Sequence, residues 1–177
     1  MDPLVKDIIL KYGSHILCSD IFQESFEQTH HYKTTVGDHT LSVAAEAVKL
    51  CIRHNMTDES TLATVVTSCL CHDLSLSGRK DKYQNNLETL IRHPDHSAQA
   101  YTDLTGETDE RVLNAIRSHM FPLKPRIPRH KEGWILTLAD KISSSMDILK
   151  IPLMTDEEKN ELLEAAERIT DHSHVTR

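Results

Sequence analysis

Glycine, phenylalanine and an excess of positive charge are what this chain has least of. Five glycines and three phenylalanines in 177 residues, beside many Leu, Ala, Glu and Lys, favour helix over sheet. No apolar run approaches the length of a membrane span, and the N-terminus lacks a basic-then-apolar leader pattern, so a cytoplasmic protein is expected. The formal net charge of -7 comes with no evident basic face, which argues against general nucleic-acid binding. The four cysteines (Cys18, Cys51, Cys69, Cys71) have neither zinc-ribbon nor secreted-scaffold spacing and read as reduced core thiols. There is no internal repeat, low-complexity stretch or linker. Residues 1–177 therefore read as one all-α domain, a bundle of about seven to eight helices.

Histidine is what the chain has in excess: twelve, four times the phenylalanine count, and scattered. Metal binding is the first role to test for so many. Leu62, Val65, Val66, Cys69 and Leu70 form an apolar stripe at helical spacing, and Asp73 falls four residues after Cys69, continuing it. A carboxylate at the inner end of an apolar stripe is costly unless its charge is compensated. The adjacent His72 makes a cation one natural compensation; the plain reading is that Asp73 caps or salt-bridges where the helix emerges.

In chain order, Pro3–Tyr12 reads as a helix stopped by Gly13, and Ile16 to about Thr29 as a weaker second. His30–Gly37 reads as a loop, and Asp38 as the N-cap of a helix reaching about His54, with His39 in its first turn. Asp58 caps the helix that ends at His72-Asp73. Leu74–Asn86 reads as a polar loop, followed by a short helix over Leu87–Arg92. His93 then stands as an N-cap with Pro94 at the first position of another helix. Thr108 caps a helix with His119 in its last turn, and the three-proline segment Phe121–Pro128 reads as loop. From Arg129 to Lys150, Trp134, Ile135, Leu138, Ala139, Ile142, Met146 and Leu149 are the expected buried face. Gly133, Leu136, Asp140 and Ser144 make a second face of mostly small residues. Thr155–Glu158 is a capping box opening the last helix.

The polar residues that end or interrupt these buried faces are His39, His72, Asp73, His93, His119 and Asp140. Singly, His39 has a plain reading as a first-turn surface residue, His93 as an N-cap and His119 as a helix-end cation. Together, side chains converging from several helices are how a bundle builds a metal site.

The order His39, His72-Asp73, Asp140 resembles the HD superfamily of metal-dependent phosphohydrolases. The likeness lies in Gly37-Asp38-His39-Thr-Leu-Ser-Val-Ala, Leu70-Cys-His72-Asp73-Leu and Leu138-Ala139-Asp140-Lys141, and covers roughly His31 to Leu149. His93-Pro94 and Ile116-Arg-Ser-His119 are similar to its binuclear branch, which includes small bacterial hydrolases of symmetrical dinucleoside tetraphosphates. The chain lacks the Gly-Tyr-Pro signature of the cyclic-dinucleotide phosphodiesterases.

The resemblance implies that His39, His72, Asp73 and Asp140 hold one metal. Asp73 would bridge to a second, held also by His93 and His119, with Asp73 and His72 central to catalysis. Nitrogen and oxygen ligands suit one or two iron, manganese, cobalt or nickel ions better than zinc or magnesium. The implied activity is hydrolysis of a nucleotide (a dinucleoside polyphosphate or a nucleoside mono- or diphosphate) or another small phosphate ester by metal-activated water. Two alternatives stay open: a mononuclear nucleoside monophosphatase, and a non-catalytic nucleotide or metal sensor. Arg79, Lys80, Lys124 and Lys141 are the candidate phosphate binders, and His31 is a lesser candidate for the cleft wall. His96 could ligate in place of His93, orient it, or face solvent. With aromatics at 5%, recognition is expected mainly of phosphate rather than of a base. The oligomeric state is left open.

Overall fold

The computed structural model describes residues 1–31, 34–77 and 82–175, with the side chains of 30, 31 and 173–175 outside that description. Among the described residues there are eight α-helices: α1 (Pro3–Leu17), α2 (Asp20–Glu24), α3 (Val36–Arg53), α4 (Glu59–Cys71), α5 (Asn86–Thr105), α6 (Glu110–Ser118), α7 (Lys131–Leu149) and α8 (Asp156–Val175). A 3-10 turn spans Leu74–Leu76. The all-α expectation holds. None of these helices is long and apolar enough to cross a membrane.

The sequence sets most helix starts by side-chain capping. Asp2, Thr35, Asp58, Asn85 and Asp109 each accept a hydrogen bond from a backbone N–H of the first turn, satisfying donors the helix leaves open. Thr155 and Glu158 close the expected capping box of α8. At α3 the cap is Thr35, and Asp38 is its reciprocal partner three residues on. The cap before α6 is likewise Asp109 rather than Thr108.

Other expectations are corrected. Gly13 does not stop α1, which runs on to Leu17. A Cβ at Gly13 would stand 2.4 Å from Leu70 Cδ1, so this glycine lets α1 approach α4. The second helix is the shorter α2, and the segment read as loop before α3 contains a two-stranded antiparallel hairpin, β1 (Thr29–His31) with β2 (Thr34–Thr35). His93-Pro94 is not a helix start, because α5 passes through it unbroken. Proline cannot donate to the helix and disturbs its ladder. Here Ser75 Oγ donates to His93 O at 3.0 Å and Lys124 Nζ to Ile91 O at 2.5 Å, so side chains serve the carbonyls around the interruption.

The buried face of α7 also differs from the expected one. Ile135 and Ala139 are buried, but Trp134, Leu138 and Leu149 are 46%, 48% and 63% exposed. The inward side carries Gly133, Leu136, Asp140 and Ser143. A helix that lies against α3, α4 and α6 and must bring Asp140 inside packs through small residues. Gly133 sits on Pro128 and Ala115, 3.0 and 3.4 Å from a Cβ there. One continuous core, from Val5 on α1 to Ala166 on α8, surrounds these contacts.

Candidate metal centre

His72 and His119 stand just past the ends of α4 and α6 with near-identical backbone angles, φ -61°, ψ -29° and φ -59°, ψ -25°. Each accepts a role forced by its helix end. The last-turn carbonyls have no intrahelical partner, and His72 Nδ1–H donates to Cys69 O while His119 Nδ1–H donates to Ile116 O, both at 2.7 Å. His93 Nδ1–H donates to Thr89 O at 2.8 Å. A carbonyl only accepts, so in all three rings Nδ1 carries a proton, and in the neutral form Nε2 presents a lone pair. On α3, His39 gives its Nδ1–H to Asp147 Oδ2 at 2.8 Å, leaving Nε2 toward Asp140 Oδ1 at 3.2 Å.

The rings form a chain: His39 to His72 at 5.7 Å between centroids, His72 to His119 at 5.0 Å, and His119 to His93 at 5.0 Å. Asp73, 3% exposed, turns its oxygens to different neighbours. Oδ2 lies 3.5 Å from His72 Nε2, while Oδ1 lies 3.4 Å from His93 Nε2 and 3.7 Å from His119 Nε2. Two groups of mutually close ligand atoms result, His39/His72/Asp140 and His72/Asp73/His119, all buried.

These residues fit divalent cations. His93 Nε2 and His119 Nε2 face each other at 3.1 Å, and with both protons on Nδ1 that is lone pair against lone pair. His72 Nε2 is buried without a hydrogen-bond partner among the described residues. Buried polar atoms ordinarily have one. Two ligands about 2.1 Å from a common cation stand roughly 3.0–3.4 Å apart at right to tetrahedral angles, close to the separations found. The Nδ1 donors fix each tautomer and aim each Nε2, as ligating histidines require.

Electrostatics point the same way. Burial holds His119 down to about 3, with the rings of His72 and His93 adding to it, and burial also lowers His93. Both stay neutral, the ligand form. Burial opposes charge on His39, but its hydrogen bonds to Asp140 and Asp147 outweigh this and push it up to about 9. Burial would raise Asp140; the His39 hydrogen bond and the nearby His72 and His119 rings instead hold it well below the usual carboxylate range. The thiols of Cys69 and Cys71 are driven up by burial and belong to neither ligand group.

The six expected ligand residues are thus brought together. Of the expected phosphate binders, Lys141 lines the adjoining cavity, its Nζ 2.5 Å from Asp140 Oδ2. Lys124 is not among the cavity's lining residues; besides Ile91 O, it reaches Asp95 at 3.6 Å. Arg79, Lys80 and the side chain of His31 lie outside the described residues. His96 turns to Tyr83, whose hydroxyl is 3.0 Å from its Nδ1 and whose ring stacks on it at 5.5 Å. Asp147 went unnoticed in the sequence. Its one signal is its place seven residues, two helical turns, after Asp140.

A helical fold that buries four imidazoles and two carboxylates in one cluster defines a class of candidate metal-binding proteins. The HD domain family profile matches residues 36–145, which include all six residues, and the chain belongs to that family. No curated protein and no solved structure matches the chain. HD domains are mostly metal-dependent hydrolases, and membership with this ligand cluster suggests metal-dependent phosphohydrolase activity.

Proposed function

We propose that residues 1–177 act as one unit that hydrolyses a small phosphate ester, nucleotides included, at a two-cation centre. In this reading His39, His72, Asp73 and Asp140 hold one divalent cation, and Asp73, His93 and His119 hold the second. The observation that carries the reading is Asp73, whose two oxygens face different histidines, as a carboxylate shared between two cations must. That division favours the binuclear reading over a mononuclear one. A donor set of imidazole and carboxylate favours iron, manganese, cobalt or nickel over zinc or magnesium.

Bound there, such cations supply Lewis-acid polarisation of phosphoryl oxygens and a lowered pKa for water. The chain's own residues do the rest. Four fixed Nδ1–H donors keep the Nε2 atoms aimed without reorganisation. Lys141 Nζ, held beside Asp140, offers charge-assisted donors to a phosphoryl oxygen. The buried floor keeps bulk water from screening these charges.

Elemental analysis of protein purified without chelator should find one to two equivalents of a first-row transition metal. With manganese, iron(II) or cobalt, a panel of phosphate monoesters, nucleoside mono- and diphosphates and dinucleoside polyphosphates should reveal hydrolysis. Asp73→Ala should abolish it and lower metal content. Protein that is metal-free and also takes up no manganese or iron(II) on titration would sink the reading.

A further inference from the structure

The ligand residues open onto a cavity of about 480 Å³, within the roughly 300–1,000 Å³ typical of small-molecule sites. Three kinds of residue line it. Asp73, His93, His119, Asp140 and Lys141 form a charged and ligating set, Asn86, Thr89 and Ser144 are uncharged polar residues, and Leu76, Leu90, Met120 and Leu123 form an apolar set. The ligating and apolar sets come from the same segments. Leu90 lies one helical turn before His93 on α5, and Met120 and Leu123 follow directly on His119. An apolar group seated on these side chains therefore sits beside the ligand cluster. Leu123 is 67% exposed, leaving apolar surface there for a ligand to cover. Among the described lining residues Lys141 carries the one lysine or arginine charge, and that charge is shared with Asp140. Four leucine and methionine side chains reward apolar contact.

We infer that this cavity takes a phosphate monoester: its phosphoryl group at the ligand cluster, its uncharged, apolar organic group against Leu76, Leu90, Met120 and Leu123. Leu90 and Leu123 are then specificity-determining residues. The inference rests on the phosphohydrolase reading for the chemistry at phosphorus, and adds what the other end of the substrate must be. In the overall reaction water's oxygen forms the new P–O bond, the bond to the ester oxygen breaks, and the organic group leaves as the alcohol with water's second proton.

The test uses the full chain loaded with manganese and two parallel series. Ethyl, butyl and hexyl phosphates and phenyl phosphate read hydrolysis; the matching alkylphosphonates, which cannot be hydrolysed, read binding by calorimetry. Binding should tighten by roughly fourfold per buried methylene until the cavity is filled, and kcat/KM should rise in parallel. Leu123→Ser, at an exposed position, and Leu90→Asn should flatten that dependence while leaving manganese content unchanged. Chain-length dependence of phosphonate binding without any hydrolysis would uphold the apolar subsite and defeat the hydrolase reading. Hydrolysis with no dependence on the organic group, or tighter binding of inorganic triphosphate than of hexylphosphonate, would overturn the inference and leave the hydrolase reading standing.

Discussion

At His72 and His119 one imidazole closes a helix end and presents a ligand atom at the same time, because the last-turn carbonyl takes Nδ1–H. That double role explains why the pair was legible in sequence: a histidine directly after an apolar helical stripe is placed by the stripe. His39 and Asp140 were legible for the same reason, since each interrupts an apolar helical face. His93 was picked out through its proline neighbour, although the local structure inferred from that proline was wrong. Asp147 was hidden, because a carboxylate near the end of a helix is ordinary until the fold shows what it touches. It accepts from His39 Nδ1–H at 2.8 Å and lies 3.4 Å from Thr34 Oγ1. Asp147→Ala should weaken metal binding by about 10–100-fold, the usual cost of losing a carboxylate that orients a ligating histidine. Asp147→Asn should recover part of it, since its carbonyl oxygen still accepts. Manganese titration by calorimetry reads this directly. Unchanged affinity in Asp147→Ala would show that His39 needs no such hold.

The elements that present the site are short-range products of the sequence, and of their expected caps Asp58 and the Thr155–Glu158 box stand where they were read. The capping residues are small and polar, and they announce themselves one turn before an apolar run. What sequence could not give was tertiary override: a proline carried inside α5 and a glycine used for close approach instead of a stop. Each depends on partners distant in the chain, such as Ser75 and Lys124 beside Pro94 or Leu70 beside Gly13. The start of α3 joins both kinds of information, because its first turn holds His39. Thr35→Ala removes the cap and should cost about 1 kcal/mol in denaturant unfolding, with a measurable fall in metal affinity. A cap effect on stability with no change in metal binding would separate the turn from the site. One residue before Asp38, a Cβ at Gly37 would meet three atoms of the Phe26 ring at 2.7–2.8 Å. Gly37→Ala should therefore destabilise by about 1–3 kcal/mol through overpacking, despite alanine's better helix propensity. A raised denaturation midpoint would mean that the Phe26 ring yields freely.

Across the whole molecule, the buried histidines link folding to protons, and to any cation they hold. The all-helical architecture was readable from composition and periodicity, but the apolar lining of the cavity was not. Scarce aromatics suggested recognition mainly of phosphate rather than of a base, while Leu76, Leu90, Met120 and Leu123 come together only in three dimensions. The same assembly sets an opposed pair of pH effects in protein stripped of metal. An unfolded histidine titrates at about 6.5. His119, held down to about 3, and His93, also lowered, bind fewer protons folded than unfolded below pH 6.5. Stability is then lost as pH falls from about 6.5 toward 3. His39, pushed up to about 9 by Asp140 and Asp147 against the effect of burial, binds more protons folded than unfolded between pH 6.5 and 9. Its contribution is complete below pH 6.5 and lost as pH rises through about 9. Thermal melts in chelator should therefore give a maximum near pH 6.5, with the melting temperature falling on both sides. Saturating manganese should raise the whole curve, because binding to the folded state alone stabilises it by mass action. The rise should be larger at pH 8 than at pH 5, since a cation between His39 Nε2 and Asp140 requires the Nε2 proton to leave. A chelated protein whose melting temperature climbs steadily to pH 9, with a manganese increment independent of pH, would show that His39 does not hold that proton.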